Sequence, residues 1–313
     1  MTKQQNNIHD VVMIGAGPAA LTAAIYTTRE EIETVLYEKG VVGGLAATTD
    51  WIDNYPGYAE GIAGMQLADE LRGQAERFGA KIEFGEIQNI AQNGDLVELT
   101  TDNGPVSAKA VLIATGSDHR KLGVPGEDEF YARGVHYCAT CDGAFYKDKR
   151  LIVVGGGNSG VQEALFLTRF ASHIDLLVRS ELRASEVLQR KLEEAKGKIT
   201  VHTGVLVDEI TSKDNKVVGA KITNKATGKQ QLVEADGVFI FIGLLPNTDF
   251  LKGSLVELDD LGFVKSDSNL QTNLPGVFVA GDVRSGATMQ IATAVGEGAT
   301  AALKIREYLE KKD

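Results

Sequence analysis

The chain has 313 residues, 43% of them hydrophobic and 24% charged, with a formal net charge of −11. That is the composition of an ordinary soluble chain with room for two domains. The acidic balance excludes nucleic acid and an anionic membrane surface as partners, since both require a basic footprint.

Membrane and secreted classes are not expected either. No apolar run approaches the ~20 residues needed to span a bilayer, and the N-terminal MTKQQNNIHD has no signal-peptide core. The two cysteines sit in one motif and do not form a secreted disulfide framework. A cytoplasmic protein with a redox-active pair is expected.

Val11–Ile14 reads as a short buried strand. It runs into Gly15-Ala-Gly17-Pro18-Ala19-Ala20 and then a helical stretch, Leu21–Arg29. This is the Gly-x-Gly-x-x-Ala form of the dinucleotide fingerprint. The first glycine makes the turn, the second admits a pyrophosphate, and the small third residue packs helix on strand. A second strand, Thr34–Tyr37, ends in Glu38, where a carboxylate accepts hydrogen bonds from an adenosine ribose. Gly43-Gly44-Leu45 and Asp53-Asn54-Tyr55-Pro56-Gly57 are loop signals. Trp51, the single tryptophan, is read as a packing residue. Residues 81–113 read as an antiparallel meander with turns at Asn93-Gly94 and Asn103-Gly104. It closes on Ala114-Thr115-Gly116, where small residues bring bare backbone against a ligand.

His136–Tyr146, HYCATCDGAFY, follows. It holds Cys138 and Cys141, spaced to close a small disulfide ring, with Asp142 directly after them. A helix starting there would favour a thiolate, and a neighbouring carboxylic acid can move the proton that dithiol chemistry requires. His136 is read as a local hydrogen-bonding residue. The rival reading makes it, with the cysteines, part of a structural metal site, but two thiols and one imidazole do not complete a tetrahedral zinc site.

The first pattern then repeats. Leu151–Val154 is a strand, Gly155-Gly-Gly157-Asn158-Ser159-Gly160 the turn, Val161–Phe170 the helix and Ile174–Val178 the second strand. A second meander runs from Val205 through Asp214-Asn215 and Thr227-Gly228, closing on Val238–Ile242 and Gly243. A late strand, Gly276–Ala280, ends in Gly281-Asp282, and a helical tail runs from about Gln290 to Leu309. The expected class is therefore α/β: two Rossmann-like three-layer nucleotide-binding domains, the second inserted in the first, with boundaries at 1–118, 119–245 and 246–313.

These motifs together resemble the low-molecular-weight thioredoxin reductases of bacteria and plants. The resemblance implies a homodimer with one FAD per subunit and a path of electrons from NADPH through FAD and the cysteine pair to thioredoxin. It places FAD at Gly15, Gly17, Pro18, Ala19, Glu38, Lys39, Gly43, Gly44, Leu45, Asn54, Ala114, Thr115, Gly116, Gly281, Asp282, Gln290, Ile291 and Ala292. It places the nicotinamide nucleotide at Gly155, Gly157, Asn158, Ser159, Arg179, Arg183 and Gly243. Cys141 is implied as the thiol beside the flavin, Cys138 as the thiol that attacks thioredoxin, and Asp142 as the acid/base. An inserted domain carrying both disulfide and nicotinamide is expected to rotate between two poses, about hinges near Ser117–Gly123 and Gly243–Asn247.

Two positions depart from the family pattern. Family members specific for NADPH carry His-Arg-Arg where this chain has Val178-Arg179-Ser180-Glu181-Leu182-Arg183. Arg179 and Arg183 can clamp a 2′-phosphate, so NADPH is the favoured donor; Glu181 can instead bind the ribose of NADH. Donation by ferredoxin, or oxygen as acceptor in a dithiol oxidase of the same fold, are the alternatives. Met289 stands before Gln290 where many members have arginine.

Overall fold

The computed structural model of the chain describes residues 8–49, 51–52 and 54–312; residues 1–7 and Asp53 of the proline loop lie outside the described residues. The chain divides into two compact units, residues 1–118 with 245–313, and residues 119–244.

The order of elements follows from the sequence patterns. β1 (Ile8–Ile14) is buried on both faces from Val11 onward, as a central parallel strand must be. α1 (Pro18–Arg29) opens with proline in its first turn, where no amide hydrogen is missed. β2 (Thr34–Glu38), α2 (Gly44–Thr48) and the two-stranded ribbon β3 (Trp51–Ile52) and β4 (Ile62–Ala63) lead to α3 (Gly64–Arg77). Then come β5 (Lys81–Phe84), β6 (Ile87–Asn93), β7 (Leu96–Thr101) and β8 (Gly104–Ile113). β9 (Ser117–His119) carries the chain out of the first unit.

The second unit holds β10 (Val135–His136), the single turn α4 (Ala139–Asp142), a 3-10 turn over Gly143–Tyr146, β11 (Arg150–Val154), α5 (Asn158–Leu167) and β12 (His173–Val178). It continues with α6 (Glu186–Glu194), β13 (Ile199–Thr203), β14 (Val205–Lys213), β15 (Lys216–Asn224), β16 (Gln230–Glu234) and β17 (Gly237–Ile240). β18 (Leu244–Pro246), paired with β9, brings the chain back, and β19 (Val277–Val279) and α7 (Ile291–Glu310) complete the first unit.

The first unit's sheet has the order β5-β2-β1-β8-β7-β6, with β19 paired in parallel to the C-terminal end of β8. One face packs on α1, α3 and α7 through Val11, Met13, Leu36, Leu112 and Phe278; the other buries Val12, Val35, Val111 and Val279 with Ile90 and Leu99. α1 and α7 meet at small residues: a Cβ on Gly298 would lie 2.2 Å from the Ala19 carbonyl oxygen. In the second unit the parallel sheet β10-β17-β11-β12-β13 is covered on one side by α5 and α6 and on the other by the antiparallel sheet β14-β15-β16.

Several expectations change. Lys81–Phe84 is not part of the meander: it pairs in parallel with β2, extending the nucleotide-binding sheet. The second helix starts earlier than expected, at Asn158, and ends at Leu167; Asn158 and Ser159 already take helical conformation because the turn needs only Gly155 to Gly157. Trp51 is 47% exposed rather than packed in a core, because its two-residue strand sits on a small surface ribbon.

Candidate functional site

Each unit builds a glycine cradle between a strand and a helix. In the first, Gly15 has φ +100° and a Cβ there would meet the Ala114 carbonyl oxygen at 2.6 Å, so β1 and β8 close on bare backbone. Gly17 caps α1 with extended backbone and no side-chain hydrogen bond, and a Cβ on it would meet nothing within 4 Å. The second unit repeats this. A Cβ on Gly155 (φ +149°) would meet the Phe241 carbonyl oxygen at 2.3 Å, while Gly157, the cap of α5, opens onto space. In both, the first glycine is demanded by the protein's own packing. The second leaves room for a ligand at a helix N-terminus whose first amides have no side-chain acceptor, the environment that suits a pyrophosphate.

The rest of the first cradle is drawn together around this turn. Glu38 Oε2 accepts from the Ala16 amide at 2.8 Å and Oε1 from the Gly40 amide at 2.7 Å. The Gly43 amide donates to the Ala16 carbonyl at 2.7 Å, which sets Gly43-Gly44-Leu45 beside the turn. Lys39 points toward Glu86, 3.2 Å away. Asn247 holds the Ala114-Thr115-Gly116 turn: its amide donates to the Gly116 carbonyl at 3.0 Å, its side chain donates to the Thr115 carbonyl at 3.1 Å, and Thr115 Oγ1 donates to its carbonyl at 2.8 Å. Asn54 donates to Gln290 Oε1 at 3.1 Å, and Gln290 caps α7 ahead of Ile291 and Ala292. Met289, before it, has φ +59°. Gly281 packs against Ala19, with a Cβ there 3.1 Å from the alanine methyl. Asn247, which the sequence marked only as the end of the Gly243–Asn247 hinge, positions this turn.

Among the described residues, Asp282, beside Gly281, is the one perturbed carboxyl in this cradle. Burial, with Glu297 nearby, pushes it from 3.8 up to about 6. No donor among the described residues reaches it, and the hydroxyls of a polyol linker fit such a group. A raised carboxyl favours the fold while protonated, so its contribution is full below the unfolded value and is lost as pH rises through about 6. The flavin-free protein is therefore expected to lose up to about 3 kcal/mol at this site between about pH 4 and pH 7. Asp282→Asn should remove that share of the loss while weakening cofactor binding. Thermal unfolding of flavin-free protein across this pH range measures it.

The second unit also carries the dithiol. Cys138 and Cys141 form a disulfide, with Cα atoms 5.3 Å apart. Cys138 caps α4, and the Cys141 amide donates to its sulfur at 3.2 Å. The helix expected here is a single turn, so this amide and the Thr140 hydroxyl, 3.4 Å from the same sulfur, rather than a helix dipole, are the groups that can favour negative charge on Cys138. Both cysteines are partly exposed, so burial in this structure does not separate an attacking from a resolving thiol. Asp142 Oδ2 lies 3.1 Å from Nδ1 of His136, which is 6% exposed. The other ring nitrogen, Nε2, lies 2.7 Å from the Tyr146 hydroxyl. Both nitrogens face these side chains, so His136 is a hydrogen-bonding residue rather than a ligand beside the cysteines.

Around the second cradle, Asn158 Oδ1 accepts from the Ser185 amide at 2.8 Å and Ser159 lies exposed in the first turn of α5. Arg179 follows β12, as Glu38 ends β2. Arg179 and Arg183 are exposed and have no ion-pair partner among the described residues, while the Arg183 amide donates to the Gly156 carbonyl at 2.7 Å. Glu181 is exposed on the same turn. Gly243 has φ +113°, and its carbonyl accepts from the Arg120 amide at 3.0 Å. No helix among the described residues is long and apolar enough to cross a membrane.

Two nucleotide cradles and a Cys-x-x-Cys disulfide define a pyridine nucleotide-linked disulfide oxidoreductase. The chain belongs to the pyridine nucleotide-disulphide oxidoreductase family, whose model matches residues 9–298. Within the family it is similar to thioredoxin reductases. It is 41% identical to that of Listeria monocytogenes over 309 residues, 98% of this chain and 96% of the relative, and 39% identical to that of Bacillus subtilis over 308 residues, again 98% and 96%. The crystal structure of thioredoxin reductase from Streptococcus pyogenes superposes with a TM-score of 0.92 at 40% identity, covering 98% of this chain and all of that one. The chain is thus a flavin- and nicotinamide-linked oxidoreductase with a dithiol centre.

Proposed function

We propose that this chain is an NADPH-dependent thioredoxin reductase of the cytoplasm that holds FAD in its first unit and acts as a homodimer. The observation that carries this reading is the Cys138–Cys141 disulfide, followed at once by Asp142, in a unit with its own nucleotide cradle. FAD, when bound, supplies the two-electron link between nicotinamide and disulfide. Gly17, Gly43 and Gly44 admit its pyrophosphate, Glu38 accepts from its ribose, and Asp282 accepts from its linker. Gly155, Gly157, Asn158 and Ser159 hold the nicotinamide nucleotide. Cys138 attacks the thioredoxin disulfide, Cys141 resolves the mixed disulfide, and Asp142 supplies and removes the proton. The inserted unit turns about residues 117–123 and 243–247 between the steps, since a disulfide reached by a protein partner cannot at the same time face a flavin.

Arg179 and Arg183, exposed and without a carboxylate partner among the described residues, favour NADPH. Anaerobic titration of the flavin absorbance tests this. Bleaching by NADPH at low concentration is expected. Arg179→Ala should raise KM for NADPH by about 10- to 100-fold, the loss of one charge-assisted phosphate contact, with KM for NADH unchanged. Preference for NADH would assign Glu181 to the ribose, and bleaching by dithionite alone would move the donor elsewhere.

A further inference from the structure

Asp142, the residue that follows Cys141, begins a chain of three side chains whose middle member is buried. Asp142 is partly exposed beside Cys141, His136 is buried behind it on β10, and Tyr146 closes the chain from the 3-10 turn. His136 also lies against Phe239, 5.0 Å between ring centroids, and Tyr146 meets the same phenylalanine edge-on. The imidazole is thus walled by apolar rings except at its two nitrogens. The polar groups facing it are Asp142 from α4 and Tyr146, with Asp236 acting on Tyr146 from the turn before β17.

The order of donors is fixed by chemistry. An ionised carboxylate only accepts, so Nδ1 carries a hydrogen toward Asp142. Nε2 is then either a bare acceptor or, when the ring is charged, a donor. A hydroxyl serves both cases, donating to the bare nitrogen and accepting from the protonated one. Burial pushes the Tyr146 phenol well above its ordinary range, so the hydroxyl keeps its hydrogen. The imidazole can therefore gain and lose a proton without moving and without leaving a buried polar atom unpaired. Imidazole is the side chain suited to this exchange near neutral pH.

We infer that His136 is a positioning residue that lends its proton to the dithiol through Asp142, with Tyr146 holding the ring in both protonation states. This inference rests on the thioredoxin reductase reading. Two electrons break the Cys138–Cys141 bond. Cys141 remains a thiolate, and Cys138 takes the proton held by the Asp142–His136 pair. When Cys138 attacks a partner disulfide, its proton returns to the pair as the new S–S bond forms. The departing partner sulfur then takes that proton. Cys141 next attacks the Cys138 sulfur, the mixed disulfide breaks, the second partner sulfur takes a proton from water, and a second proton from water restores the Asp142–His136 pair. The balance is one disulfide, two electrons and two protons to one dithiol.

The test uses holoenzyme carrying His136→Asn or Tyr146→Phe. Asparagine keeps a donor toward Asp142 but cannot take up a proton; phenylalanine keeps the ring packing and removes only the hydroxyl. Three quantities are read: flavin reduction by NADPH, thioredoxin turnover across about pH 6 to 8, and iodoacetamide alkylation of the reduced dithiol over the same range. Flavin reduction is expected to stay within about twofold. Turnover of His136→Asn should fall about 10- to 100-fold with a flattened pH profile, and alkylation should lose the same pH dependence. Tyr146→Phe should shift both profiles in the same sense by a smaller factor. Profiles that superpose on wild type after scaling, or a parallel fall in flavin reduction, would overturn the inference and leave His136 a packing residue. A wild-type enzyme inactive on thioredoxin, whose alkylation still depends on His136 in this way, would overturn the partner assignment and support the proton path.

Discussion

Cys138→Ser and Cys141→Ser are each expected to lower thioredoxin turnover by about 10^3-fold or more while leaving the flavin fully reducible by nicotinamide. A hydroxyl is not ionised near neutral pH and cannot close the disulfide, so neither half of the exchange has a substitute. The two variants should differ in what they trap. With Cys141 replaced, the Cys138 thiol can attack a partner disulfide but nothing resolves the product, and a covalent mixed disulfide should accumulate. With Cys138 replaced, the Cys141 amide no longer has a sulfur to donate to, and no partner adduct should form. Non-reducing electrophoresis after incubation with oxidised thioredoxin, beside stopped-flow bleaching by NADPH, separates these results. An adduct forming equally with either variant would remove the assigned order of attack. The fold should tolerate both changes, because Cys138 and Cys141 lie at a partly exposed turn and serine is smaller than cysteine.

Much of this was legible in the sequence because nucleotide-binding turns constrain the chain at fixed spacings. Gly15 and Gly155 announced themselves since no other residue can bring two strands' backbones so close at positive φ. Glu38 and Arg179 were placed by the ends of short apolar strands. α3 went unread although Leu67, Ala68, Leu71 and Ala75 lie on one face at helical spacing, a signal that periodicity alone could have caught. α6 and β13 were lost for a different reason: α6 is largely polar, burying only Leu188 and Leu192, and β13 is half-exposed at the sheet edge. Lys81–Phe84 was misassigned because parallel pairing with β2 is a distant contact that no local turn signal encodes. The Asp142–His136–Tyr146 chain was invisible for a similar reason. Its members lie within eleven residues of one another, yet only the turns from β10 through α4 and Gly143–Tyr146 bring both ring nitrogens of His136 onto the other two side chains.

Gly17→Val is expected to leave a folded protein that has lost its flavin, whereas Gly15→Ala should not fold normally at all. The two glycines stand two residues apart in one motif and look equivalent in the sequence. At Gly15 the backbone is left-handed, φ +100°, and the smallest side chain would collide with the Ala114 carbonyl oxygen at 2.6 Å. That forces β1 away from β8 in the middle of the sheet, at a cost of several kcal/mol, about 3 or more. At Gly17 the backbone is φ −79°, ψ −178°, which any residue adopts, and the protein itself offers nothing within 4 Å of a Cβ. That open space is where the proposed FAD pyrophosphate would lie. Branched methyl groups would stand between the pyrophosphate and the first amides of α1, so FAD affinity should drop by about 10^2-fold or more, near 3 kcal/mol. Circular dichroism and gel filtration should find Gly17→Val folded, with its visible flavin absorbance gone. Added FAD should restore little of it, while the disulfide still reacts with small thiols. The same substitution at Gly157, equally open and equally capping a helix, should leave the flavin in place and abolish its reduction by NADPH. One residue type at two matching positions would then separate the two cradles by function. A Gly17→Val protein that kept its flavin would place the pyrophosphate away from this turn and withdraw the first unit as its site.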